Sequence, residues 1–259
     1  MLITSPRPTT DQLHKYYESP AYTSHVGAAK TLFDRLYQTA RNFTLRWKLS
    51  LIEQYSQTIE SKSLLDVGCG TGEFLKTAKH HGWHTTGMEP SEPARQQAHP
   101  SVTKDIRPSL NDIVNERKQF ATITLWHVLE HVEDPTYTLQ ELKQLLLHNG
   151  TIFIAVPNHS SLDAKYYNHS WAGYDVPRHL WHFNKKSMTC LLDKNNLKLH
   201  TIIPMRLDAF YVSLLSEKYK NKGSLTITAV VKAFFTALKS NFQASDTHEY
   251  SSLIYVIKK

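Results

Sequence analysis

The run Leu64-Leu65-Asp66-Val67-Gly68-Cys69-Gly70-Thr71-Gly72-Glu73-Phe74 constrains this chain more than any other feature. An apolar strand runs into a glycine-rich turn, and a helix-like stretch starts immediately afterwards. Gly68 and Gly70 let the backbone turn tightly and let a ligand approach where a Cβ would collide. Such a step opens a βαβ unit, although glycine turns also serve plain βα connections. Asp66 sits in the strand's end, where a buried carboxylate needs partners. One βα unit later, Glu89 ends the strand of Thr85-Thr86-Gly87-Met88-Glu89-Pro90. An acid there can accept both hydrogen bonds of a ribose diol, each contributing about 1.5–3 kcal/mol to a charged acceptor. With Asp66 and Glu73 flanking the glycines, the loop is acidic. It repels a diphosphate and suits a cationic sulfonium ligand with an α-amino group.

The alternation continues over residues 61–204. Strand-like runs are Ser63–Val67, Thr85–Met88, a short one near Ser101–Thr103, Ala121–Leu125, Thr151–Val156 and Leu199–Ile203. Helix-like stretches are Glu73–His81, Glu92–Ala98, Pro135–Leu147 and Lys186–Asn195. Asn149-Gly150 reads as a turn before its strand. This pattern predicts a mainly parallel sheet with right-handed crossovers. Residues 1–60 read as a helical cap whose apolar face includes Leu32, Phe33, Leu36, Tyr37, Phe43, Leu45, Trp47, Ile52 and Tyr55. The core then covers 61–259, with an insertion at about 158–184 and helices at about 207–220 and 225–242. Leu253–Ile257 reads as a final strand.

The 259 residues suffice for one large α/β domain with appendages. Thirty Lys+Arg against 23 Asp+Glu give a net charge of +7, spread along the chain rather than gathered into a nucleic-acid footprint. The two cysteines, Cys69 and Cys190, make no disulfide framework and fit a reducing compartment. The N-terminus shows no apolar signal-peptide core, and no stretch is long and apolar enough to span a membrane. A cytoplasmic location is the expectation.

LLDVGCGTGEF resembles the first motif of class I S-adenosylmethionine-dependent methyltransferases. The resemblance implies a Rossmann-like α/β fold. Its seven-stranded sheet is mostly parallel with the last strand antiparallel, and helices cover both faces. It also implies S-adenosylmethionine as cofactor and S-adenosylhomocysteine as product. In that family the loop wraps the methionine end and the second-strand acid holds the ribose. Those roles fall here on Asp66, Gly68, Cys69, Gly70, Gly72, Glu89 and Pro90. Asp105 stands where the family often places an acid on the adenine amino group, with Ile106 against the ring. A surface acid in a loop is the equal alternative.

The strand Ala121–Leu125 leads into Trp126-His127-Val128-Leu129-Glu130-His131-Val132-Glu133-Asp134-Pro135. His127-x-x-Glu130-His131 matches a zinc-peptidase signature that needs one continuous helix. Asp134 and Pro135 instead start a helix as cap and first-turn residue, which leaves the histidines in a loop. The segment resembles the LEHV-DP stretch of ubiquinone-type O-methyltransferases, some of which are thought to bind a divalent metal through the position of His127 and the Glu-His pair. Those enzymes usually carry an acid at that position. The favoured reading is that Trp126 and His127 line the adenosine pocket while Glu130 and His131 are structural hydrogen-bonding residues, with no metal expected.

The insertion contains Trp171-Ala172-Gly173-Tyr174-Asp175-Val176-Pro177-Arg178-His179-Leu180-Trp181-His182-Phe183, which resembles a segment of the type 23 methyltransferase group. Its charged groups and aromatics suit a substrate pocket. His179 is the first candidate base and His131 the second. Trp171, Asp175, Arg178 and His182 are substrate candidates, together with Tyr22 and His25 of a lid. Asp175 and Arg178 would equally serve to pin the loop as an ion pair. The expected reaction is methyl transfer to oxygen or nitrogen of a small molecule. An RNA-modifying enzyme, betrayed by steep salt dependence, and a non-catalytic cofactor-binding protein are the alternatives. The apolar residues of 225–242 read as a packed helix, with a peripheral membrane contact or an apolar substrate cover as the sharper options.

Overall fold

The computed structural model describes residues 1–9, 16, 32–56 and 61–259. Tyr17, Tyr22 and His25 lie outside the described residues. The strands are β1 (Leu2–Ile3), β2 (Ser63–Val67), β3 (His84–Met88), β4 (Ile106–Arg107), β5 (Phe120–Trp126), β6 (Leu146–Pro157), β7 (Trp181–His182), β8 (Lys198–Pro204) and β9 (Ser252–Lys258). The helices are α1 (Leu32–Tyr55), α2 (Glu73–His80), α3 (Glu92–Gln96), α4 (Leu110–Asn115), α5 (Pro135–Leu145), α6 (Leu162–Tyr167), α7 (Lys185–Lys194), α8 (Asp208–Lys220) and α9 (Ile227–Thr247). Seven strands form one sheet in the order β4-β3-β2-β5-β6-β9-β8, and β1 pairs with β7 in a second, two-stranded sheet. The β2–β3, β2–β5 and β3–β4 pairs are parallel. β9, the last strand, is antiparallel, as the sequence predicts.

The chain divides into two compact units. The first comprises Met1–Thr9, His127–Thr136 and Ile154–Ile257; the second comprises Thr10–Trp126, Tyr137–Phe153 and Lys258–Lys259. In the second unit β2 is buried along nearly its whole length and β5 almost wholly, which explains their near-continuous apolar sequences. Leu49, Leu51 and Ile52 of α1 are buried, whereas Phe43 is 61% exposed. Phe43 therefore leaves the apolar face: it sits two residues from Leu45, on the opposite side of the helix.

Four local expectations are corrected. The third strand is Ile106–Arg107, not Ser101–Thr103, and Thr103–Asp105 is a 3-10 turn. The His99 carbonyl captures the Val102 and Thr103 amides at 2.9 and 3.1 Å, closing a turn where an extended run was expected. Asn149-Gly150 lies within β6 rather than in a turn. A Cβ on Gly150 would lie 2.6 Å from Leu146 Cδ1, so this glycine makes room for a packed leucine. Leu2–Ile3, in the zone that reads as helical, is a strand antiparallel to Trp181–His182. The insertion is more regular than its composition indicates: Ser161 caps α6 by accepting the Ala164 amide at 3.2 Å, and two 3-10 turns follow at Asn168–Ser170 and Ala172–Tyr174.

Candidate active site

In the second unit, β2 delivers the glycine loop onto α2. Gly68, Gly70 and Gly72 all have positive φ, at 70°, 56° and 74°, a region costly to side chains bearing a Cβ. At Gly72 space is also short, since a Cβ would meet Val102 Cγ2 at 2.8 Å. The Gly68 and Cys69 amides both donate to the Met88 carbonyl, at 2.7 and 3.0 Å. The Gly70 amide donates to Glu89 Oε2 at 2.9 Å, and Ser91 donates to Glu89 Oε1 at the same distance. Glu89 thus holds the loop closed from the end of β3. A carboxylate has about four acceptor sites, so two backbone bonds leave capacity for a ligand's hydroxyls. Burial pushes the Glu89 carboxyl up from its ordinary range, against the bonds from Ser91 and Gly70.

Asp66 is 2% exposed and accepts the Thr124 hydroxyl at 2.6 Å across the β2–β5 pair. Burial pushes its pKa up to about 7, opposed by the Thr124 bond and the Lys48 charge and helped by the Glu89 charge. Such a site favours a cation beside it. Lys48, from α1, places its ammonium 4.4 Å from the centre of the Trp126 ring, which meets Phe74 edge-on at 5.5 Å. Lys48 and Thr124 were missed by the sequence reading. Their signals are a lysine flanked by Trp47 and Leu49 on a half-buried helix, and a threonine alternating with Thr122 in an apolar strand. Pro90 is exposed beside Glu89, and Cys69 packs with Leu75, Val102 and Ile106. Ile106 is buried in that cluster, whereas Asp105 is taken by Lys79 at 2.6 Å.

In the first unit, residues 127–134 form a loop, so the continuous helix demanded by the peptidase signature is absent. His127 adopts a positive φ of 59° and sits between two carboxylates, with Nε2 3.0 Å from Asp208 and Nδ1 3.4 Å from Glu130. Burial opposes its charge, but Asp208 and Glu130 outweigh burial and push the imidazole up to about 9. Asp208 is another residue the sequence reading missed; it opens α8 and carries no motif.

The insertion is strapped to the same loop. Leu180 and Trp181 donate their amides to the Glu130 carbonyl at 2.8 and 3.2 Å, and the Trp181 indole donates to the Val132 carbonyl at 2.8 Å. His131 and His179 meet edge-on, with ring centres 4.5 Å apart. His131 Nδ1 lies 3.1 Å from the Arg178 carbonyl and His179 Nδ1 lies 2.9 Å from the Gly173 carbonyl. Arg178 pairs with Asp175 at 2.6 Å, which pins the loop as the sequence allows. Thr4 donates its hydroxyl to the His179 carbonyl at 2.6 Å and meets His182 Nε2 at 3.0 Å. Trp171 is buried, and its indole donates to Asp163 at 2.8 Å, which anchors it in the fold. Burial pushes His179 and His182 each down to about 4, which leaves both rings neutral near neutral pH. His179, His182, Trp181 and Trp171 line a narrow recess.

A family model described as a methyltransferase domain, of type 23, matches residues 37–202. Ubiquinone biosynthesis O-methyltransferase of Actinobacillus pleuropneumoniae is 34% identical over 122 residues, 43% of this chain and 52% of that protein. The chain spans about half the length of such curated relatives. Among solved structures, magnesium protoporphyrin IX methyltransferase of Synechocystis, with bound S-adenosylhomocysteine, superimposes with a TM-score of 0.59 at 12% identity, covering 97% of this chain and 100% of that one. Geranyl diphosphate C-methyltransferase of Streptomyces coelicolor does so with a TM-score of 0.56 at 13% identity, covering 96% and 97%. These likenesses carry the fold. The match over residues 37–202 carries the family: the chain belongs to the type 23 methyltransferase domain family.

Proposed function

We propose that this chain is an S-adenosylmethionine-dependent methyltransferase acting on a hydroxyl of a small organic molecule. The observation that carries the reading is the acidic glycine loop. Asp66 and Glu89 are buried carboxylates with raised pKa values, and Glu89 retains acceptor capacity after bonding Gly70 and Ser91. That combination suits a ligand with both a cationic sulfonium end and a ribose diol. Asp66, Gly68, Gly70, Gly72 and Glu89 would hold it, with Trp126 beside the adenosine.

The sulfonium supplies an already activated methyl group. An oxygen–carbon bond forms as the carbon–sulfur bond breaks, leaving the neutral thioether S-adenosylhomocysteine. We assign the hydroxyl proton to an imidazole, with His179, which burial keeps neutral near neutral pH, as the first candidate and His131 as the second. His179 is held by the Gly173 carbonyl and by Thr4 at its own carbonyl, which fixes its ring and backbone. Two observations support the acceptor class: the relatives' name, ubiquinone biosynthesis O-methyltransferase, and an exposed apolar strip on α9. Phe234, Phe235 and Phe242 there are 52%, 63% and 79% exposed. Both favour a phenolic hydroxyl on an apolar, quinone-type molecule.

The test is direct. Purified protein with S-adenosylmethionine is offered alkyl catechols and matched amines, and S-adenosylhomocysteine is quantified by mass spectrometry. Product formation with the catechols supports the reading. Failure of the folded protein to bind S-adenosylmethionine in a calorimeter would sink it.

A further inference from the structure

α9 is packed inside out. The side chains it buries are small: Ala229, Ala233, Thr236, Ala237, Ser240 and Ala244. Its large apolar side chains face outward: Ile227, Val231, Phe234, Phe235, Leu238 and Phe242 are all exposed. Successive members lie one, three or four residues apart, which places them on one face of the helix, a strip about 22 Å long. Phe234 meets Phe210 of α8 with ring centres 5.5 Å apart and Phe235 at 5.9 Å. The helix is held in this orientation from its buried side. Ser240 donates its hydroxyl to the buried Asp163 at 2.7 Å, and the small residues allow close packing against α8 and α6. Rolling α9 to bury the phenylalanines would break that bond and open that packing. A contiguous apolar strip fixed outward in this way marks a surface of contact.

The charges bordering the strip identify what it meets. Residues 218–247 carry five lysines, Lys218, Lys220, Lys222, Lys232 and Lys239, against one acid, Asp246. All five lysines are exposed. Lys232 and Lys239 follow Val231 and Leu238 and stand seven residues apart, so they share one border of the strip. Lys220 and Lys232 gather on Tyr166, each ammonium 5.8 Å from the ring centre. Lys232 also lies 3.9 Å from Glu217, a buried acid that precedes the segment. A second copy of the chain seated on this face would add five more lysines and one more exposed acid, which repels. Anionic headgroups complement the same border.

We propose that α9 docks this protein on an anionic lipid surface, with the phenylalanines at the top of the acyl chains and the lysines among the headgroups. Helices with an apolar face and a basic border lie in the interface with that face about 5–10 Å deep. Docking stands independently of methyl transfer, because lipid binding is measured without cofactor or acceptor.

The experiment mixes the purified chain with vesicles of phosphatidylcholine alone or of phosphatidylcholine with phosphatidylglycerol, and bound protein is measured by flotation. Binding to the anionic vesicles is expected, weakening as salt is raised. The double variant Phe235→Ser, Phe242→Ser should bind at least about tenfold more weakly, since both side chains leave water on docking. Lys220→Gln, Lys222→Gln and Lys239→Gln should each cost up to about fivefold. Phe43→Ser, an exposed phenylalanine of α1 outside the strip, should bind as the wild type does. Circular dichroism verifies folding of each variant. Phe235→Trp supplies a second readout that keeps the apolar face: its added emission should shift to the blue with anionic vesicles and be quenched by brominated acyl chains. Three results would each overturn the proposal. The first is no binding of the folded wild type to anionic vesicles. The second is equal binding by the double phenylalanine variant. The third is a concentration-dependent dimer in sedimentation that the double variant abolishes while vesicles go unbound, which would assign the strip to a second copy.

Discussion

Burial of Asp66 makes the cofactor-free protein pH-sensitive in a defined direction. In the fold its pKa is raised from 3.8 to about 7, chiefly by desolvation. In the unfolded chain the carboxyl loses its proton near its ordinary value, whereas in the fold it retains the proton to near neutrality. The unfolded state therefore binds fewer protons over that interval, and stability falls as pH rises. The contribution is fully present below pH 3.8 and is lost as pH passes through about 7. A gap of about three pH units at about 1.4 kcal/mol each corresponds to about 4 kcal/mol. Asp66→Asn keeps the shape and an acceptor for Thr124 but cannot ionise. Urea unfolding of both proteins without cofactor should give similar stabilities near pH 4 and a gap opening in favour of Asn towards pH 8, of about 4 kcal/mol. S-adenosylmethionine should act oppositely on the wild type. Its cationic end favours ionised Asp66, so affinity tightens as pH rises towards 7, by up to about tenfold per pH unit, and flattens in Asp66→Asn. A stability gap that does not change with pH would refute the account of Asp66.

Glu89→Ala should weaken S-adenosylmethionine binding by about 10²–10⁴-fold in a calorimetric titration, the equivalent of two charge-assisted hydrogen bonds at about 1.5–3 kcal/mol each; an unchanged Kd would remove Glu89 from the site. Lys48→Met should move the midpoint of the Asp66 pH effect upward, since the Lys48 charge lowers that pKa, and should weaken cofactor binding. A midpoint that stays in place or falls would contradict the coupling. Asp163 accepts from Trp171, Ser240 and Ser251 at 2.7–2.8 Å. Asp163→Ala strands three buried donors, and urea unfolding should show a loss of about 3–5 kcal/mol.

What the sequence disclosed depended on how locally each feature is determined. The glycine loop, Asp66 and Glu89 were legible because one βα step fixes them: the loop amides bond to Met88 and Glu89, at the end of the very next strand. The mainly parallel sheet followed from strand–helix alternation, whose crossovers allow few arrangements. The third strand failed because only two residues pair, too few to show a period of two. β1 failed for the same reason, being two residues whose partner lies in the insertion. Long-range partners left no pattern at all. Nothing near Asp208 marks it as the partner of His127, and Thr4 meets His179 across 175 residues.

The limit of legibility falls at one peptide bond. Trp126 still belongs to β5, and its side chain faces Phe74 and Lys48 as strand periodicity allows. His127 turns to a φ of 59°, where a non-glycine residue costs about 1–2 kcal/mol. Its amide still donates to the Ala155 carbonyl at 3.0 Å, continuing the sheet's bonding for one more residue, while its side chain joins Asp208 and Glu130. The carboxylate contacts offset the backbone cost, so a residue that a propensity rule disfavours is held there by distant chain. The same holds for Glu130. Its backbone carbonyl is used twice, by Leu180 and Trp181, and this fixes the insertion beside the loop. With the insertion pinned by main chain, His131 and His179 meet edge-on, which is why their identities were visible in the sequence and their convergence was not.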